Sequence, residues 1–141
     1  MPAARSVVAG AAIAAVVLTV AAALYLLGSP QEERVRRLDE RRVQDLRRMD
    51  EMTNLYWTRH GRLPASISEL SEESGVVVSS RDPATGEPYG YRTLNEKSFE
   101  LCGVFDRDST DSRTAEPPPG FWAHGAGKRC FNLEVRQVTN R

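Results

Sequence analysis

The first part of the chain differs from everything after it in the spacing of its polar positions. Residues 7–27 carry no charged side chain, whereas charge recurs at about every third position from Glu32 onward. At 1.5 Å per helical residue the apolar run reaches roughly 31 Å, the thickness of a bilayer's hydrocarbon core. The pattern predicts a tail over 1–6 and one transmembrane helix over 7–28. The alternative is a cleaved secretory signal, whose apolar region is about 7–15 residues long and ends at small residues. Ala21, Ala22 and Ala23 offer such a site, but Leu24, Tyr25, Leu26 and Leu27 extend the run past it. An uncleaved anchor is therefore expected, with Gly10 and the alanines forming a small-residue face.

Over 29–60 the apolar positions change to helical spacing. Pro30 stands where a helix can begin, and neither proline nor glycine recurs until Gly61. On a 100° wheel Val35, Leu38, Leu46, Met49, Tyr56 and Trp57 share one face, with Val43 at its margin and Arg42 interrupting it. Glu32 with Arg36 and Glu33 with Arg37 stand in the favourable order for i,i+4 pairing. Two uses of the remaining arginines stay open, a solvated face or contact with anionic headgroups. The stripe likewise packs internally, as its rich part from Leu46 to Trp57 suggests, or forms a seam with a partner helix.

Residues 61–141 read as a small α+β domain. Ser66 and Glu69 fit a capping box that opens a short helix ending before Gly75. Val76, Val77 and Val78 suggest a short strand. Arg81, Asp82, Pro83, Gly86 and Pro88 lie in a turn-rich stretch. Tyr89 to Thr93 and Ser98 to Phe105 alternate as an antiparallel hairpin around Asn95, Glu96 and Lys97. Residues 106–120 form a polar loop with a stiff exit at Pro117, Pro118 and Pro119. The last strands are expected at 121–124 and 130–135, separated by a turn over 125–129.

Charge excludes one class of partner. Lys and Arg number 19 against 19 Asp and Glu, so no basic excess supports nucleic-acid binding. Seventeen arginines against two lysines favour a GC-rich, bacterial coding sequence. The arginines after the anchor outnumber Arg5 before it, which by the positive-inside rule keeps the domain cytoplasmic. Cys102 and Cys130 argue the other way. Phe99, Leu101 and Phe105 share one strand face and Phe131, Leu133 and Val135 another, and each cysteine sits one step out of register. On neighbouring strands the two can form a cross-strand disulfide, which needs an oxidising compartment. Two reduced thiols, or a metal or reactive-thiol role, remain the alternatives. The balance favours a domain outside the cytoplasm.

The order of parts resembles the type IV pilins and type II secretion pseudopilins. In these an apolar helix runs into an amphipathic one, with a small antiparallel sheet on its carboxy-terminal half. Tyr56 followed by Gly61, Leu63 and Pro64 is similar to the pattern closing the pseudopilins' long helix. Asp82, Pro83, Gly86, Pro88, Tyr89 and Tyr91 resemble the major pseudopilin's D-P-W-G-x-P-Y-x-Y segment, with Ala84 and Thr85 replacing the tryptophan. The prepilin cleavage motif is lacking, since Gly10 is followed by Ala11 and by Ala15 in the fifth place. The family's calcium loop has no counterpart: Asp106, Asp108 and Asp111 lack the spacing of a calcium loop and read as solvated acids.

The resemblance implies a pilin-like, single-pass structural or interaction protein. Its expected setting is the bacterial inner membrane, with the domain in the periplasm. Its partners are the lipid bilayer and a protein or second copy, with Trp57 and Trp122 as candidate surface residues. A subunit of a secretion or pilus-like assembly is one alternative. A thiol-dependent enzyme or redox sensor is another, using Cys130 with His124, aided by His60. No third orienting group accompanies them, so no enzyme, cofactor, metal or small-molecule substrate is expected.

Overall fold

The computed structural model describes residues 2–27, 30–74, 79–110 and 120–137. Its elements are α1 (Pro2–Leu27), α2 (Pro30–His60), α3 (Ile67–Ser74), β1 (Gly90–Thr93), β2 (Ser98–Phe105), a 3-10 turn (Gly120–Trp122) and β3 (Gly127–Glu134). The expected strand at Val76, Val77 and Val78, the acid Asp111 and the proline exit at 117–119 lie outside the described residues. The chain divides into two compact units, Met1–Arg34 and Val35–Arg141.

In the first unit, α1 is long and apolar enough to cross a membrane. Val7, Val8, Ile13, Val16, Val17, Leu18, Val20 and Leu24 are exposed, as a lipid-facing helix requires. The hydroxyl of Thr19 donates to the carbonyl of Ala15 at 2.7 Å, so the helix satisfies its own polar side chain.

In the second unit, α2 packs on an antiparallel sheet of order β1-β2-β3. Val43, Leu46 and Met49 of the helix meet Phe99, Leu101 and Phe105 of β2 and Phe131 and Leu133 of β3. Leu46, Met49, Phe99 and Leu101 are wholly buried. Each such side chain contributes about 1.5–3 kcal/mol, against a few tenths for an exposed helical ion pair such as Arg36 with Glu40. Core contact, not the charged surface, holds this part of α2. The helix stops where Gly61 adopts φ +68° and its N–H donates to the Trp57 carbonyl.

One expected strand is absent. Phe121, Trp122, Ala123 and His124 form no ladder: 120–122 is a 3-10 turn. Their backbone is secured instead by Ser109, whose N–H donates to the His124 carbonyl at 2.8 Å while its Oγ accepts from the His124 N–H at 3.0 Å. The expected turn over 125–129 is also shorter. Phe105 pairs with Gly127, so β3 starts there and runs as long as β2.

Cys102 and Cys130 are direct partners across β2 and β3 and are joined by a disulfide. In the chain-entropy model a loop of this length contributes about 3.5 kcal/mol. The bridge leaves little room on β1: a Cβ on Gly90 would lie 2.9 Å from the Cβ of Cys102. Substituting Gly90→Ala is therefore expected to cost about 1–3 kcal/mol. Gly120→Ala, which meets nothing within 4 Å, is the matched control. Thermal unfolding of the oxidised protein should lower the midpoint for the first variant only.

Candidate functional site

The residue that interrupts the apolar stripe lies at the centre of the domain's polar interior. Arg42 is 2% exposed. Its Nε and Nη2 donate to Asp82 at 2.5 and 3.3 Å, and its Nη1 donates to Asp39 and to Asp106 at 2.6 Å each. Burial alone would lower its pKa, but the bonds to Asp82, Asp106 and Asp39 outweigh this and raise it. Burial likewise opposes the charge on Asp82, yet Arg42 and the N–H groups of Thr85 and Ala84 hold its carboxyl below the ordinary value. Asp39 also accepts from the N–H groups of Asp106 and Arg107. One guanidinium thus ties α2, the 81–88 turn and the end of β2 together.

The turn residues work around this centre. The N–H of Asp82 donates to Glu87, and that of Gly86, at φ +74°, donates back to Asp82. Pro83 is exposed, and Pro88 bridges to Arg81. Tyr89 donates its hydroxyl to Asp45 at 3.0 Å, and Tyr91 donates to the carbonyl of buried Pro64 at 2.8 Å. Of the acids considered for calcium, Asp106 is engaged by Arg42. Asp108 accepts from the hydroxyl and N–H of Thr110, which keep its carboxyl below the usual range.

A second polar centre closes α2 onto α3. Glu69 accepts from Arg62 at 2.5 Å, from the Tyr56 hydroxyl and from the Ala65 N–H at 2.7 Å. Ser66 accepts from the Glu69 N–H at 3.4 Å. The expected capping box is therefore shifted, with the glutamate reaching one residue further back. The bonds from Arg62, Tyr56 and Ala65 lower the Glu69 carboxyl from 4.5 to about 2.

Trp122 does not serve as an exposed contact residue. It is 8% exposed, its ring centre lies 4.9 Å from that of Phe131, and the Arg47 guanidinium stands 6.0 Å over it. Trp57 is half-buried on α2. Its neighbour Phe121 is exposed instead, 54% accessible. It opens a groove of about 380 Å³ lined also by Trp122, Asp50, Leu133, Glu134 and Arg136. Asp50 there accepts from Asn54 at 2.8 Å and from Arg136 at 3.1 Å, and burial is the main cause of its raised pKa. The thiol constellation is not assembled. Cys130 is in the disulfide, and His124 stacks on Phe105 with ring centres 3.7 Å apart. Comparison with known families, characterised proteins and solved structures gives no match.

The Arg42 cluster was signalled only by a charge at an apolar wheel position. Asp39 is one helical turn before it, but Asp82 and Asp106 are 40 and 64 residues away, beyond any local pattern. The groove had no sequence signal, because Phe121 and Asn132 meet only through the fold.

The Glu69 centre carries a pH dependence of defined sign. With its folded pKa lowered from 4.5 to about 2, the unfolded chain binds the extra proton between these values. The stabilisation is complete above 4.5 and is lost as pH falls toward 2. Urea unfolding across this range should show the advantage of the parent over Glu69→Gln shrinking on acidification. A constant difference would contradict the assignment.

Proposed function

We propose that the chain is a single-pass, membrane-anchored structural or interaction protein. It presents a pilin-like α+β domain on the periplasmic side of the bacterial inner membrane. The observation that carries this reading is the Cys102–Cys130 bridge in a domain that follows a helix whose charge-free run, residues 7–27, has membrane length. A bridge needs an oxidising compartment, and this outweighs the arginine count, which interleaved acids accompany. The mechanism is presentation: α1 fixes the chain to the bilayer, and the domain offers a surface to a protein partner.

A second reading, a subunit of a secretion or pilus-like assembly, draws on the Tyr56–Pro64 and Asp82–Tyr91 patterns. These close α2 and shape the turn before β1. The two readings share topology and differ in the partner, so co-purification with assembly components separates them.

Alkylation of intact cells with a membrane-impermeant reagent, before and after reduction, tests the topology. Label at Cys102 and Cys130 only after reduction is the expected result. Free thiols that react only after lysis would place the domain in the cytoplasm and overturn the reading.

A further inference from the structure

We infer that the outer edge of β3 pairs with the same edge of a second copy of this chain, antiparallel and centred on Phe131, so that two three-stranded sheets join into one. This rests on the reading of the domain as an interaction module and names its partner as a second copy.

The register decides which backbone groups are available. Leu94 N–H donates to the Ser98 carbonyl, and Val135 N–H to that of Lys97. Even-numbered residues of β2 therefore bond toward β1 and odd-numbered ones toward β3. On β3 the odd residues Arg129, Phe131 and Leu133 bond inward. Lys128, Cys130, Asn132 and Glu134 direct N–H and C=O away from the sheet. Among the described residues nothing bonds to these groups. Such a row is a template for another extended chain. The opposite edge offers less, because β1 has four residues and follows Pro88, whereas β3 has eight and no proline.

The charges on this edge select its occupant. An edge blunted against pairing typically carries charge of one sign. Here the sign reverses about the middle of the strand. Lys128 and Glu134 stand at equal distances either side of Phe131, both are exposed, and among the described residues neither forms an ion pair. Antiparallel pairing about Phe131 bonds the backbone of Lys128 to Glu134 of the second copy and that of Cys130 to Asn132, so all four outward residues find partners. Side chains directly opposite share a face, and an ion pair between Lys128 and Glu134 forms at each end of the joint, on the face that carries the disulfide. Other alignments lose this match. Sliding the pairing one way sets Glu134 opposite Ala126, and sliding it the other way sets Lys128 opposite Arg136. In-register parallel pairing sets Lys128 against Lys128 and Glu134 against Glu134, which is repulsive.

The relief beside the strand follows the same symmetry. His124 stacks on Phe105, which pairs with Gly127, and the Phe121 ring stands 6.0 Å from that of Phe131. The 121–124 segment therefore flanks the first half of β3. The groove of about 380 Å³ lies beside the second half, where Leu133, Glu134 and Val135 line it. A two-fold axis through Phe131 exchanges the two halves. It sets the 121–124 segment of each copy, with exposed Phe121 at its tip, against the groove of the other. Arg129, which is exposed and alternates with Lys128 onto the α2 side of the strand, comes opposite Leu133 of the second copy, beside the groove wall formed by Asp50. Ridge meets hollow and cation meets carboxylate twice over, as a self-complementary two-fold contact requires. A foreign strand fits only by reproducing both patterns, which a second copy carries by construction.

The test uses the oxidised full chain in detergent, over a protein concentration series at a constant ratio of micelles to protein, which holds the density of α1 in detergent fixed. Amide hydrogen exchange at Cys130 and Asn132 should slow about tenfold or more across the range in which sedimentation shows dimers forming. Lys128→Glu and Glu134→Lys each set like charges opposite one another, and each should weaken self-pairing about tenfold or more. An equimolar mixture of the two variants should regain it, because every mixed pair again joins a cation to a carboxylate, and that recovery shows both variants folded. Exchange at these two amides that ignores concentration would overturn the inference. Single variants that pair as well as the parent, or a mixture that pairs no better than its components, would do the same. So would dimers whose Cys130 and Asn132 amides exchange as fast as the monomer's, since α1 or another surface then joins the copies. If any of these occurs while the cysteines still label only after reduction, the exported, anchored reading stands and only self-pairing fails.

Discussion

A guanidinium withdrawn from water and shared by three carboxylates is the constraint on which the domain's form depends. Asp39, Asp82 and Asp106 come from a helix, a turn and the end of a strand, and Arg42 is the group that all three contact. Burying that charge alone would cost several kcal/mol, so its partners are obligatory. The aspartates are in turn stabilised by backbone N–H groups of 84, 85, 106 and 107. The cluster therefore fixes main-chain positions as well as side chains. It anchors to α2 and the end of β2 a turn that the isolated bridge between Arg81 and Pro88 only closes on itself.

Three devices divide the small domain between them. Arg42 secures the end of the sheet where β2 finishes, and the disulfide clamps the middle of β2 and β3. Tyr56, Arg62 and Glu69 join α2 to α3. Apolar burial supplies most of the free energy, but it is non-directional and does not choose one placement of the loops. The directional contacts do. A platform fixed in this way holds its surface without rearranging, which suits a protein whose proposed work is presentation.

Much of this was legible in the sequence because local periodicity carries it. The wheel grouped Leu46, Met49 and Tyr56, and all three are buried. The period of two placed Cys102 and Cys130 off the apolar face of their strands, where they meet. What was not legible depends on separation along the chain. Arg42 was visible as an interruption, but its pairing with Asp82 needs the fold already formed. Phe121 and Trp122 have strand-like composition, yet Ser109 takes the backbone groups of His124 and excludes a ladder. Trp122 then turns inward onto Phe131 rather than outward as a contact residue.

The central claim is that Arg42 and its aspartates act as one unit, and a double-mutant cycle on Arg42 and Asp82 tests it most directly. Urea unfolding would be compared for the parent, Arg42→Met, Asp82→Asn and the double variant at neutral pH. Arg42→Met is expected to lose about 3–5 kcal/mol, because it leaves buried carboxylates uncompensated. The double variant should fall short of the summed single losses by about 1–3 kcal/mol. Strictly additive losses, or an Arg42→Met protein as stable as the parent, would contradict the account.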